Sequence, residues 1–169
     1  YGDVLAVAGS IGHGILGLND AKAGRTSRHA DHYRVPQLAP LDFAALVARY
    51  ATASIDVSDG LISDAGHLAR QSRHQIQLAL NEVPFAVEAG DVNEALRLAT
   101  GGDDYQILMT LRQSDIEACL AEAKALGQPL SIIGAVTEGE GGVKLTWHDT
   151  PVRLPDRPGY RHGNPRQTS

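Results

Sequence analysis

Residues 52–73 read T-A-S-I-D-V-S-D-G-L-I-S-D-A-G-H-L-A-R-Q-S-R, a short segment followed by a glycine and a long amphipathic segment. We predict a strand over 52–57 and a helix over 59–73. The apolar side chains of the helix recur with helical spacing and form one face: Leu61, Ile62, Ala65, Leu68 and Ala69. A strand that leads directly into an amphipathic helix is typical of domains in which helices cover a sheet.

The remaining sequence alternates in the same way. Hydrophobic periodicity predicts further strands over 3–8, 75–80, 105–111, 130–136 and 143–147. It predicts further helices over 15–18, 42–50, 92–99 and 116–123. The last two strands are expected to form a hairpin across the turn at 139–142, with an irregular tail from residue 151 onward. The predicted fold class is α+β, a layered α/β/α domain with a mixed sheet.

The composition excludes several classes of protein. The chain has 169 residues, the size of one domain. Its formal net charge of -5 and its 5% aromatic content disfavour nucleic-acid binding. Cys119 is the single cysteine, so intrachain disulfides and multi-cysteine zinc sites are excluded, and a reducing, cytoplasmic location is expected. No run approaches the roughly 18–20 apolar residues of a membrane span, so no membrane association is expected.

The segment Asp56-Val57-Ser58-Asp59 lies where the predicted strand meets the helix. Alternate residues of a strand point to the same side, so Asp56 and Ser58 share a face, and Asp59 follows at the turn. Two carboxylates and a hydroxyl in this position suit Mg²⁺, which prefers oxygen ligands and keeps part of its hydration shell. The same residues also suit a helix N-cap made by Ser58 or Asp59. The residues alone leave both interpretations open.

The segment Gly101-Gly102-Asp103-Asp104-Tyr105 is a second acidic loop, directly before a predicted strand. Adjacent carboxylates repel each other, which favours a bound cation or a donor-rich ligand. The alternative interpretation is an exposed acidic turn.

Two further features are less specific. The glycine-rich turn at 9–14 follows the first strand, and its amide groups can bind an anion or simply permit a tight turn with close helix–strand packing. His29 and His32, three residues apart, are a candidate metal pair, although a solvated helix face is the favoured interpretation.

Taken together, the two acidic motifs resemble the C-terminal half of thiamine-monophosphate kinase, in the aminoimidazole-ribonucleotide synthetase-like superfamily. The segments 2–12 and 133–139 resemble the same family. The resemblance implies the superfamily's C-terminal domain over 1–150 and a tail with a substrate-stacking aromatic residue over 151–169. It also implies ATP-dependent phosphorylation of thiamine monophosphate to thiamine diphosphate, with Mg²⁺ as the cofactor.

Site residues follow from the same resemblance. Asp103 stands where the family usually has glutamate, and Gly163 stands where a phenylalanine usually follows the tail motif. Asp56 and Asp59 match the family's Mg²⁺-binding positions, and Ser58 matches its ATP-binding position. Asp103 and Tyr160 match its substrate-binding positions.

The resemblance implies that the family's N-terminal, ATP-binding domain is absent from the chain, and the complete protein is expected to be a homodimer. The strand at 4–7 and the turn at 9–14 are therefore expected to carry an apolar face that the other domain covers. The alternative function is that of a free-standing, non-catalytic remnant or ligand-binding module of the same superfamily.

Overall fold

A computed structural model describes residues 1–159, which form seven strands and six α-helices. Tyr160, which the resemblance assigns to substrate binding, lies outside the described residues. The strands are β1 (Val4–Ala8), β2 (Ala51–Val57), β3 (Gln75–Ala79), β4 (Gln106–Leu111), β5 (Leu130–Thr137), β6 (Gly142–Trp147) and β7 (Thr150–Val152). The helices are α1 (His13–Lys22), α2 (Arg28–Arg34), α3 (Phe43–Tyr50), α4 (Leu61–Ser72), α5 (Val92–Ala99) and α6 (Ile116–Ala125).

All seven strands belong to one sheet in the order β2-β4-β1-β5-β3-β6-β7. The β3–β6 pair is parallel and the other neighbouring pairs are antiparallel, so the sheet is mixed. Helices cover both faces, because β1 sends Leu5 and Val7 toward α4 and α5, and Ala6 and Ala8 toward α3 and α6. The predicted layered α+β fold class is confirmed.

The first strand does not expose an apolar face. β1 lies in the middle of the sheet between β4 and β5, and Leu5 through Ala8 are fully buried. The expectation that a missing domain covers this strand is therefore wrong. The burial comes from helices of the same chain on both sides, and each fully buried leucine contributes about 1.5–3 kcal/mol.

The predicted hairpin between residues 130–136 and 143–147 is also wrong. β3 lies between β5 and β6, antiparallel to the first and parallel to the second. The connection from β5 to β6 passes over the start of β3. Gly139 lies so close to β3 there that a Cβ atom on this glycine would be 2.7 Å from the Gln75 Cβ atom. The observed hairpin joins β6 to β7 through His148 and Asp149, whose φ angles of 46° and 62° are those of a type I′ turn. β7 therefore extends the sheet into the segment that we predicted to be irregular.

The five helices predicted above are present in the expected positions, with differences at their ends. α1 is longer than the predicted 15–18, because it begins at His13 inside the glycine-rich turn. The helix predicted over 59–73 begins two residues later, after Gly60. None of the helices within residues 1–159 has the length and apolar character required to cross a bilayer.

Candidate active site

Backbone hydrogen bonds join the two acidic motifs. The amide of Asp103 donates to the carbonyl of Ser58 at 2.9 Å, and the amide of Tyr105 donates to the carbonyl of Val57 at 2.8 Å. The loop before β4 therefore continues the pairing of β4 with β2 and lies directly against the start of α4. The fold brings together two motifs that are far apart in the sequence.

Asp64 shapes the junction between β2 and α4. The N-cap of α4 is Gly60, and no side chain caps it. The buried Asp64 carboxylate accepts the amides of Ser58 and Asp59, each at 3.0 Å. The interpretation of Ser58 or Asp59 as the N-cap, which the sequence left open, therefore does not hold, because an acidic side chain from the first turn reaches back and accepts the amides of both residues.

Asp64 was missed by the sequence reasoning, although an acidic residue in the first helical turn is a recognisable signal. Burial raises the pKa of Asp64, and the nearby Asp59 charge raises it further, while the two amides oppose this effect. Because the Asp64 carboxylate holds the backbone of Ser58 and Asp59, it determines where their side chains lie.

The glycine-rich turn binds an anion that belongs to the chain itself. The amides of Gly12 and Gly14 donate to the two carboxylate oxygens of Asp104, both at 2.8 Å. Asp104 is fully buried, so the alternative of an exposed acidic turn does not hold for this residue. Burial raises the pKa of Asp104 to about 6, and the neighbouring amides partly offset that rise.

Three histidines pack between α1 and α2, next to Asp104. The Nδ1 atoms of His13 and His29 are 2.9 Å apart, and the His32 ring stacks on His13 with a centroid distance of 4.6 Å. His32 is buried, so the predicted solvated helix face is wrong for this residue. Burial lowers the pKa of His13 to about 4, with a further contribution from the charges of His32 and His29.

A cleft of about 690 Å³ lies where the two acidic motifs meet. It contains Ser58, Asp59 and Asp103, three of the residues that the resemblance assigns to ligands, and Lys22 and Arg157 supply positive charge at its walls. The remaining lining comes from α1, α2, the loop before β4 and the C-terminal segment: Gly14, Ile15, Leu18, Tyr33, Thr100, Gly101, Gly102, Tyr105 and Gly159.

Negative charge concentrates around Tyr105 at the edge of the cleft. The Asp103 carboxylate raises the pKa of Tyr105 most, followed by burial, a hydrogen bond to Asp103, and the charges of Asp56 and Asp59. Asp56 itself is exposed on the edge strand β2 and does not line the cleft. The carboxylate and hydroxyl oxygens in this region are of the kind that Mg²⁺ prefers.

Asp59 also lines a second cavity of about 670 Å³, which shares Gly159 with the first. There its carboxylate lies with Asp64 and His67, and the ligand atoms of the three side chains are within 4.8 Å of one another. Gly159 packs so tightly on this region that a Cβ atom would be 2.5 Å from the carbonyl oxygen of Asp59. The described chain thus ends against the start of α4, one residue before Tyr160.

The fold and the cleft agree with what the family comparison finds. Residues 1–146 match the family described as AIR synthase related protein, C-terminal domain, and the chain belongs to this family. The relatives reported below are thiamine-monophosphate kinases, as the sequence resemblance predicted.

The chain is 33% identical to the thiamine-monophosphate kinase of Caulobacter vibrioides, over 96% of this chain and 48% of the relative. The enzyme of Haemophilus influenzae is 26% identical over 95% of this chain and 52% of the relative. The chain therefore spans about half the length of these relatives.

Among solved structures, thiamine-monophosphate kinase from Stenotrophomonas maltophilia matches with a TM-score of 0.71 and 25% identity, over 89% of this chain and 51% of that chain. AaThiL complexed with AMPPCP and TMP matches with a TM-score of 0.67 and 25% identity, over 89% of this chain and 49% of that chain. PurL of T. maritima shares the fold at 13% identity, with a TM-score of 0.61 over 90% of this chain and 24% of that chain.

Proposed function

We propose that this chain is the C-terminal portion of a thiamine-monophosphate kinase, which transfers the γ-phosphoryl group of ATP to thiamine monophosphate and forms thiamine diphosphate. One observation carries the proposal: both acidic motifs of the resemblance meet at a single cleft. Phosphoryl transfer depends mainly on positioning and on neutralising phosphate charge. Acidic side chains for a metal ion, together with Lys22 and Arg157 for phosphate oxygens, meet that requirement.

Mg²⁺ is the proposed cofactor, and Asp56 and Asp59 are the residues proposed to hold it. The ion would neutralise phosphate charge and orient the transferred group. Asp64 supports this arrangement, because its hydrogen bonds to the Ser58 and Asp59 amides keep the junction in one conformation. Asp56 contributes from the exposed end of β2, where its charge acts on the same tyrosine as that of Asp59.

The proposed substrates are ATP and thiamine monophosphate. Ser58 is proposed to contact ATP, and Asp103 and Tyr160 are proposed to contact thiamine monophosphate. The complex of AaThiL with AMPPCP and TMP supports this choice, since that protein shares the fold over 89% of this chain. Asp103 is one methylene shorter than the family's glutamate. Its position on the wall of the cleft keeps it in the same cavity as Ser58 and Asp59.

The proposed active site is completed by an N-terminal domain, and the proposed complete protein is a cytoplasmic homodimer. The basis is length, because the chain spans about half of the relatives that it matches. We therefore expect the 169-residue chain alone to form negligible thiamine diphosphate.

The test is a thiamine diphosphate assay on the complete protein with ATP, thiamine monophosphate and Mg²⁺. We expect turnover of about 1–100 per second, typical of kinases, and a severe loss in Asp59→Asn. Asp31→Asn is the matched control, because Asp31 lies on the exposed side of α2 and should leave turnover unchanged. Binding of both ligands without product would support the ligand-binding module instead and overturn the kinase proposal.

A further inference from the structure

The loop that carries Asp103 has an unusual backbone. Asp103 and Tyr105 have φ angles of 67° and 51°, in the left-handed region of backbone conformation that residues other than glycine rarely adopt. Left-handed backbone is strained for residues that carry a Cβ atom. Surrounding contacts must therefore hold both residues in this conformation.

Asp104, between these two residues, adds side-chain and carbonyl contacts to the backbone bonds that Asp103 and Tyr105 make with β2. Its carboxylate accepts the amides of Gly12 and Gly14, and its carbonyl accepts from Gln106 Nε2 at 3.1 Å. The carbonyl also lies 3.3 Å from His32 Nε2. Asp104 thus has charge-assisted bonds to the start of α1 and further bonds to α2 and β4.

The contact between the loop and α1 is close enough to require glycine. A Cβ atom on Gly14 would overlap the carbonyl oxygen of Gly102. The loop therefore rests directly on the backbone of α1, and the Asp104 carboxylate is shielded from the cleft. Asp104 is fully buried, so it has no surface with which to contact a substrate.

We propose that Asp104 is a positioning residue: by binding the amides of Gly12 and Gly14, it holds Asp103 and Tyr105 in left-handed backbone and so directs them to the cleft. The role of Asp103 in substrate binding rests on the proposed function. The effect of Asp104 on the conformation of the loop does not. Neighbouring aspartates thus have different tasks, one at the cleft and one beneath it.

Hydrogen exchange on the 169-residue chain tests the proposal directly. In Asp104→Asn, the amides of Gly12, Gly14, Asp103 and Tyr105 should exchange about 10-fold faster or more, because the charged acceptor is gone. The sheet amides of β1 and β5 should keep their protection. The matched control is Asp103→Asn, which removes the adjacent carboxylate and should leave these amides protected. Unchanged exchange in Asp104→Asn would overturn the proposal.

A thermal comparison tests whether Asp104 enforces the left-handed conformation. Asp103→Gly should melt about 2–8 °C above Asp103→Ala, because glycine adopts positive φ without strain. The difference should vanish when Asp104→Asn is added to both variants. If the difference persists, the loop holds its conformation without Asp104 and the proposal fails. If the variants that carry Asp104→Asn do not fold, hydrogen exchange in the unmodified chain decides the question. Fast exchange of the Gly12 and Gly14 amides would overturn the proposal, and slow exchange would support it.

Kinetics on the complete protein test the functional consequence. Asp104→Asn should raise KM for thiamine monophosphate and lower kcat/KM by about 10- to 100-fold, with little change in KM for ATP. An equal increase in the KM for ATP and the KM for thiamine monophosphate would indicate a general structural defect and contradict the positioning role. Should the unmodified complete protein make no thiamine diphosphate, the proposed function fails, whereas the exchange and melting experiments still decide the role of Asp104.

Discussion

Asp59 and Asp64, at the start of α4, serve different purposes although they lie close together. Asp64→Ala should destabilise the fold by about 1–3 kcal/mol, because the amides of Ser58 and Asp59 lose their acceptor. Asp59→Ala should change stability by no more than about 0.5 kcal/mol while greatly reducing turnover of the complete protein. Thermal melting beside thiamine diphosphate formation separates the two effects. Equal destabilisation by both variants would contradict this division.

Asp104 and His13 should give opposite pH dependence. The folded pKa of Asp104 is raised to about 6, so the native state binds the extra proton, and stability falls as pH rises from about 4 to 6. The folded pKa of His13 is lowered to about 4, so stability from this residue rises with pH over about 4 to 6.5. The two effects oppose each other in the unmodified chain.

Removing either titratable group should therefore reveal the effect of the other on the pH dependence of stability. Relative to the unmodified chain, Asp104→Asn should make stability increase more steeply with pH between about 4 and 6. His13→Gln should make it increase less steeply or fall. Denaturant unfolding at several pH values in this window measures both slopes. Parallel curves for the unmodified chain and both variants would show that neither group titrates in this window.

At the scale of elements, the packing of α1 on α2 depends on Gly17. A Cβ atom there would overlap the carbonyl oxygen of His29, so Gly17→Ala should destabilise the chain by about 1–3 kcal/mol despite alanine's higher helix propensity. Gly66, in α4, is the matched control. A Cβ atom at Gly66 would have Arg70 Nη1 as its nearest neighbour, at 3.1 Å, and Gly66→Ala should stabilise by about 0.5–1 kcal/mol. Melting temperatures that change in the same direction would contradict the packing argument.

At the scale of the whole molecule, one exposed segment is unusually apolar. Val35, Leu38 and Leu41, between α2 and α3, are 75%, 68% and 94% exposed. We expect the 169-residue chain to associate at high concentration through this segment. Sedimentation velocity should show reduced association in the double variant Leu38→Ser, Leu41→Ser. Leu154→Ser, at another exposed leucine, is the control and should associate like the unmodified chain; a strictly monomeric unmodified chain would contradict the prediction.

The sequence predicts much of the secondary structure because periodicity is local. α5 has the predicted bounds, and α3 and α4 differ from prediction by one or two residues at their ends. The motif positions also follow from local pattern, since Asp59 and Asp103 lie at the junctions expected for them. The resemblance of those motifs to thiamine-monophosphate kinase then agrees with the family match over residues 1–146.

The order of the strands in the sheet and the long-range hydrogen-bond partners could not be predicted from the sequence. β3 lies between β5 and β6 and places Ile76 and Leu78 in the core on the side of α4, and no turn signal specifies that strand order. Asp104 finds its donors at Gly12 and Gly14, about ninety residues earlier, as long-range contacts set by the fold. The amino-acid pattern by itself therefore determined most of the elements, the fold class and the family. Tertiary structure alone decided which acids are buried and hold the backbone and which line the cleft, because burial and donor partners arise only when distant segments pack together.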